Sequence, residues 1–184
     1  MITRPVVALA ASAVVIASVF VSADSWPGSR PQVFTSARGT FAFKTRPPQL
    51  NTWSGKSQGT MVALAKTGGE TATWTRELVN IPVTAFVADD GKHVVTFDTW
   101  ARLGYEHALV IYGEDGAVIV DYDLNALVPA EEIRRSVIET VGGRRWLQDA
   151  TIAFDGGGDA VVITLRWGRV IRVALATGHI ATAQ

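Results

Sequence analysis

The sequence predicts a mostly β fold assembled from antiparallel hairpins, with one helix near residues 129–141. Three stretches of the second half carry that reading: TAFVADDGKHVVTFD from Thr84, ALVIYGEDGAVIVDYDL from Ala108 and ATIAFDGGGDAVVITLRWGRVIRVALATG from Ala150. Each is an alternating apolar run, a Gly-containing turn and a second alternating run, the pattern of a β-hairpin. Only one segment departs from this two-residue period towards a helical one.

In chain order, residues 24–38 (DSWPGSRPQVFTSAR) are rich in Pro, Ser and Gly and read as a flexible linker. The first strand is expected at Gly39–Thr45, where Phe41 and Phe43 share a face. Arg46–Gly59 contains Pro47-Pro48 and turn formers and reads as a loop. Strands follow at Thr60–Lys66 and Glu70–Leu78, joined by Thr67-Gly68-Gly69. The hairpin series then supplies Val83–Ala88, His93–Asp98, Ala108–Tyr112 and Ala117–Asp123. His93–Asp98 is apolar on both faces, which predicts a strand covered on both sides. Trp100–His107 is a longer loop. Over Pro129–Val141, Ile133, Val137, Ile138 and Val141 follow the spacing of one helical face. Pro129 suits the first turn, Glu131 and Glu132 the positive end, and Gly142-Gly143 the stop. Thr151–Phe154, Ala160–Arg166 and Arg169–Leu175 close a count of about ten strands.

The N-terminus adds a compartment. Arg4 precedes a 16-residue apolar run, Val6–Val21, with small residues at Ser22 and Ala23. Val21 and Ala23 suit the −3 and −1 positions of a signal peptidase site, so residues 1–23 read as a signal peptide cut before Asp24. The alternative is an uncleaved N-terminal anchor, although the run is shorter than the roughly 20 residues of a span. Both readings place the folded part outside the cytoplasm, secreted or periplasmic. About 160 residues remain after such a cut, enough for a single β-rich domain over 39–180. The chain has no Cys, so burial alone must hold it. Charge is balanced overall, with 17 Lys/Arg against 17 Asp/Glu. Residues 24–80 hold 7 basic and 3 acidic side chains, and residues 81–184 hold 9 and 14. Neither part has a basic run, which argues against nucleic acid as a partner.

Strand–turn–strand units with Asp-Gly turns and scattered Trp are what β-propeller blades look like. A closed propeller needs at least about four blades of four strands, and ten strands make about two and a half. The expected fold class is therefore a series of blade-like repeats resembling an incomplete β-propeller. The stack either stays open, with its helix covering an edge, or closes by pairing with another copy. The strings LVNIPVTAFVADDGKHVVTFDTW, ALVIYGEDGAVIVDYDLNAL and RWLQDATIAFDGGGDAVVITLRWGRVIRVALATG resemble a group of exported bacterial proteins with propeller-like repeats of the quinoprotein and YncE-like kind. The resemblance spans about residues 39–180 and implies an architecture. It carries over no activity and no catalytic or binding residue.

Several constellations invite chemistry. Ser54-Gly55-Lys56-Ser57 resembles the end of a phosphate loop, but the leading Gly is Leu50 and a strand follows, so it reads as a solvated turn. Asp121, Asp123, Asn125 and Glu132 match four ligand positions of a 12-residue calcium loop. Ala126 stands where that loop needs Gly, so the competing reading is a polar strand end leading into a helix. Asp155-Gly156-Gly157-Gly158-Asp159 reads as a wide hairpin turn before it reads as a cation site. His93, His107 and His179 form no zinc spacing. Asp98, Glu106 and His107 are the candidate catalytic residues, with Asp98 orienting His107 as a base. Against that stand the lack of a nucleophilic Cys or GxSxG elbow, and a simpler role for Asp98 as acceptor of loop N–H groups. Trp53, Trp74, Trp100, Trp146 and Trp167 could stack on sugar rings, though β-position aromatics more often fill a core.

These observations predict an exported, non-enzymatic β-repeat protein that needs no cofactor and binds a protein or small molecule. A homo-oligomer is compatible with it, and membrane contact follows if the N-terminal segment stays uncut. A small hydrolase working through Asp98, Glu106 and His107 is the first alternative. A calcium-stabilised structural protein is the second.

Overall fold

The computed structural model describes residues 29–48 and 56–182. The expected signal peptide or anchor, Trp53, and Ser54 and Gly55 of the Ser54–Ser57 turn lie outside the described residues. Fourteen strands and two short helices are formed among those described, in four antiparallel sheets. Three of the sheets are four-stranded meanders in which every strand pairs with the next in sequence.

The first sheet contains β1 (Gln32–Thr35), β2 (Phe41–Arg46), β3 (Gln58–Leu64) and β4 (Glu70–Glu77). The second contains β5 (Thr84–Val87), β6 (Val94–Phe97), β7 (Leu109–Tyr112) and β8 (Val118–Tyr122). Next come α1 (Leu124–Leu127), α2 (Ala130–Ser136) and a small hairpin of β9 (Ile138–Thr140) and β10 (Gly143–Arg145). The last sheet contains β11 (Thr151–Phe154), β12 (Ala160–Thr164), β13 (Val170–Ala174) and β14 (Ile180–Thr182).

Side-chain alternation decides how these sheets stack. Successive residues of a strand point to opposite faces. In the second sheet Ala85, Val87, Val94, Val110 and Tyr112 pack on Phe43, Met61, Trp74 and Leu78 of the first. Their alternating neighbours, Val95, Phe97, Leu109 and Ile111, pack on Val161, Ile163, Ile171 and Val173 of the last sheet. Leu124, Leu127 and Ile133 of the helices, and Trp146 just after β10, fill the same core. All eight residues of β6 and β7 are buried. The middle sheet is thus covered on both faces, as the doubly apolar run predicted. Rings join the layers as well: Trp74 of the first sheet lies 6.5 Å from Tyr112 of the second, and Phe97 of the second lies 6.3 Å from Trp146.

The outer sheets alternate because one face of each meets water. Burial along β11 runs exposed–half-buried, and β13 alternates exposed with buried. Exposed positions are held by small or charged residues such as Thr151, Ala153, Thr164 and Arg172. Ion pairs between Lys44 and Glu70, and between Arg172 and Asp155, add charge at the two ends of the stack.

Two expectations need correction. Residues 24–38 are not linker throughout, because Gln32–Thr35 pairs in register with Ala42–Thr45. The Ser36 hydroxyl accepts from Thr40 and Phe41 N–H, closing that turn by side-chain chemistry. The helix expected over 129–141 ends at Ser136, where Val137 turns to φ −90°, ψ 132° and its N–H closes on the Ile133 carbonyl. Ile138–Thr140 then pairs as strand with Gly143–Arg145. β-Branched Val137 and Ile138 carry helical spacing here, but their stiff χ1 suits extended backbone better. Pro129 is the N-cap of α2, not part of its first turn.

Candidate functional site

Asp98 follows β6, at the point where the chain leaves the middle sheet, and adopts a left-handed φ of 58°. Its carboxylate is 5% exposed. Oδ1 accepts from Trp146 Nε1 at 2.9 Å and from Gly104 N at 2.8 Å. Its carbonyl accepts from Asn80 Nδ2 at 2.9 Å. Asn80 is itself buried and central. Its Nδ2 also reaches Thr96 Oγ1 at 3.2 Å, its Oδ1 accepts from Tyr112 Oη at 3.1 Å, and its carbonyl takes the Ser57 hydroxyl at 2.6 Å. The Tyr112 hydroxyl in turn accepts from Val79 N at 3.2 Å. Ser57, Asn80, Thr96, Tyr112, Asp98, Gly104 and Trp146 thus form one chain of hydrogen bonds. It runs from the first sheet, through the middle sheet, to the segment entering the last.

Burial raises the Asp98 pKa to about 6, although the Trp146 and Gly104 hydrogen bonds pull the other way. Two bonds to an ionised acceptor are worth about 1.5–3 kcal/mol each, yet the desolvation cost wins. A burial-raised carboxyl is a feature of many acid–base sites. Here, however, the donors around the resolved acceptor are structural, and His107 is not one of them. The structure does not support the expected Asp98–His107 pair.

His107 instead meets Asp121, with Nδ1 to Oδ2 at 2.8 Å. Extending the β7–β8 register by two residues would place His107 opposite Leu124, on the face away from Asp121. At φ 55° the backbone breaks that alternation and brings the ring to the carboxylate. Glu106 is bound by Arg102 at 3.1 Å. Glu106, His107, Asp121, Tyr122, Asp123 and Ala126 line an open recess of about 400 Å³. The Tyr122 hydroxyl donates to the Gly178 carbonyl at 3.0 Å. His107 carries a raised pKa, chiefly from the Asp121 hydrogen bond and against the opposing effect of burial.

The four calcium-loop residues have divergent roles. Asp121 serves His107, and Asp123 caps α1 by accepting Ala126 N–H at 2.8 Å. Glu132 is held by Arg169 at 2.7 and 2.5 Å and by Trp167 Nε1 at 3.1 Å. That arrangement, led by the Arg169 hydrogen bonds, lowers its pKa to about 2. Asn125 borders two surface recesses. Among the described residues no three His, Asp or Glu side chains converge as a metal site.

The remaining candidates are largely structural. Asp155 Oδ1 accepts from Asp159 N at 2.9 Å and Ala160 N at 3.3 Å, which makes the Gly-rich segment a hairpin turn. Lys56 pairs with Glu77 at 2.5 Å, and β3 follows Ser57 where a phosphate loop would need a helix. Trp74 and Trp146 are core residues, Trp167 is bound to Glu132, and Trp100 borders a small recess with Ser57, Ile81 and Pro82. Sequence reasoning missed Asn80, which carries no motif signal, and the His107–Asp121 pair. Compared with models of known protein families and with curated proteins, the sequence has no significant match.

Asp98→Asn keeps an acceptor for Trp146 and Gly104 and tolerates positive φ. In the wild type, the folded chain holds the Asp98 proton up to about pH 6, whereas the unfolded chain releases it near its ordinary 3.8. The contribution of this group to stability therefore grows as pH falls from 6 towards 3.8. It is lost as pH rises through 6, with an amplitude on the order of 2–3 kcal/mol. Urea unfolding between about pH 4 and 8 should show this pH-dependent difference between wild type and Asp98→Asn. Asp98→Ala, which orphans two buried donors, should lose about 2–4 kcal/mol throughout. A wild type and Asn variant separated by a constant amount would contradict the buried charge.

His107 should titrate above 6.5 in the wild type, and Asp121→Asn should lower its midpoint. The stability supplied by the pair is present below 6.5 and is lost as pH rises through the raised value. Histidine ring chemical shifts followed by NMR across pH measure the midpoint directly. An unchanged midpoint in Asp121→Asn would remove the pair.

Proposed function

We propose that this chain is an exported, non-enzymatic β-repeat protein, a binding or interaction module that works outside the cytoplasm. In this reading the three meander sheets are blade-like units of an incomplete propeller. The observation that supports it is the face-to-face stacking of three consecutive four-stranded meanders, with the middle one buried on both sides. Such a stack makes a rigid frame and leaves loops and hairpin tips for recognition. The ligand is a protein or small molecule at those tips, and a second copy stacking on an end sheet is compatible with the same frame. Export is inferred from Arg4, the Val6–Val21 run and Ala23.

A hydrolase is the second reading, because His107 and Asp121 do form a base–acid pair beside a recess. The frame reading is preferred because the recess is shallow and its one hydroxyl-bearing side chain, Tyr122, is bound to Gly178. Nucleophilic catalysis needs that hydroxyl, or another, within hydrogen-bond reach of the base.

Hydrolysis of chromogenic carboxylic esters, phosphate esters and peptides by the full chain tests the choice. The expected outcome is no turnover that differs between wild type and His107→Ala. Turnover that falls 100-fold or more (the usual weight of a general base is about 10²–10⁴) in His107→Ala would establish the hydrolase instead.

A further inference from the structure

The β9–β10 hairpin is the most unusual surface of the molecule. Val141 at its tip is fully exposed, at 104%, and Ile138 is 39% exposed. Ile138 sits directly opposite Arg145 in the ladder. Over residues 134–145 the sequence places four arginines against one glutamate. Glu139 is already taken by Arg144 at 3.0 Å, and Arg144 also stacks on the Tyr105 ring at 4.7 Å. Arg134, Arg135 and Arg145 are exposed and make no ion pair among the described residues, although Arg135 lies near enough to Glu132 to help lower its pKa. Arg134, Glu139 and Arg144 border a single recess, which sets the end of α2 beside the hairpin, and Arg145 lies on the other face of the hairpin with Ile138.

The tip is fixed in place. Leu103 N donates to Gly142 O at 3.3 Å and Arg144 N donates to Leu103 O at 2.8 Å, pinning the turn and the start of β10 to the 98–107 loop. Gly143 has φ 117°, and a Cβ there would lie 2.5 Å from the Leu103 carbonyl oxygen. Only glycine permits that approach. The next residue but two, Trp146, is anchored on Asp98. A fully exposed valine on such a fixed hairpin is a costly way to end a turn, since turn tips normally carry polar residues.

We infer that this hairpin docks the protein onto an anionic lipid surface, with Val141 and Ile138 entering the headgroup–acyl boundary and Arg134, Arg135 and Arg145 lying over the negatively charged headgroups. An exposed aliphatic tip beside cations suits a deformable apolar layer beneath an anionic surface. A protein partner would need a pocket moulded to one valine. The same chain also carries the Val6–Val21 run, which would hold it at a membrane if that segment stays uncut. The inference rests on the reading of the protein as a binding module outside the cytoplasm, and names what it binds.

The absence of cysteine makes the test direct. An environment-sensitive fluorophore is attached to the full chain at Val141→Cys, and separately at Thr67→Cys on the exposed β3–β4 turn of the far sheet. Each is mixed with vesicles containing about one third phosphatidylglycerol and nitroxide-labelled lipid, or with phosphatidylcholine vesicles. The label at 141 should be quenched in anionic vesicles, and the label at 67 should stay in water. Quenching should disappear in phosphatidylcholine and in about 0.5 M salt. Replacing Arg134, Arg135 and Arg145 together by Ala should weaken it roughly 100-fold, at about fivefold per cation. Equal quenching at both positions, indifference to lipid charge, or a 141 label that stays in water would overturn the inference. Burial of the 141 label without lipid would do so too, pointing to a second copy, and burial only with an acidic protein would point to that partner. His107-dependent hydrolysis would remove the non-enzymatic reading while leaving the label result unchanged, so the two failures are distinguishable.

Discussion

The buried carboxylate of Asp98 is the constraint on which the rest of the structure depends. A sheet covered on both faces cannot send its strand ends to water for hydrogen bonds, so they must be satisfied inside. Asp98 and Asn80 do this together. Asn80 closes on the Asp98 carbonyl, and the Asp98 side chain holds the Gly104 amide and the Trp146 indole. Ser57 and Tyr112 link the same network to the first sheet and to β7. The ionised acid is disfavoured in this setting, which is why its pKa rises. Its retention is consistent with a role in specificity, since each partner accepts only one loop geometry.

From that node the consequences spread outward. Trp146 fixes the start of the segment leading to the last sheet, and its ring packs on Phe97. The loop between Asp98 and His107 is folded back on itself by Gly104 and Leu103, and Leu103 in turn fixes the β9–β10 hairpin. One end of that loop carries the buried carboxylate and the other the His107–Asp121 pair, each at a residue of positive φ. Two neighbouring titratable features therefore have opposite characters. Asp98 is shielded and scaffolds the core, whereas His107 and Asp121 are part-exposed and bordered by solvent. The end sheets need no such node, because one face of each meets water.

Much of the fold was legible because alternation reports burial. Val94-Val95-Thr96-Phe97 is apolar on both faces and proved to be doubly covered, and the strands of the end sheets alternate because one face is wet. What was not legible has physical causes. β1 is a short edge strand whose sequence, QVFT, is dominated by flanking Pro, Ser and Arg. The 129–141 segment has helical spacing, but β-branched Val137 and Ile138 take extended backbone once Ile133 is buried and the hairpin can form. The expected Asp98–His107 pair failed because Asp98 is taken by Gly104 and Trp146, while His107, at positive φ, meets Asp121. Asp121 and Glu132 shared a motif spacing, but one is in a strand and the other is held by Arg169 from the opposite sheet.

The central claim is that the Asp98 node opens only when the stack itself opens. Native-state hydrogen exchange resolves this through the Trp146 indole N–H and the Gly104 amide, the two donors to Asp98. The account predicts that both exchange as slowly as the slowest amides of β6 and β7, with the same denaturant dependence. Rapid exchange of these two protons while β6 and β7 remain protected would mean that the node is a local ornament, and would contradict it.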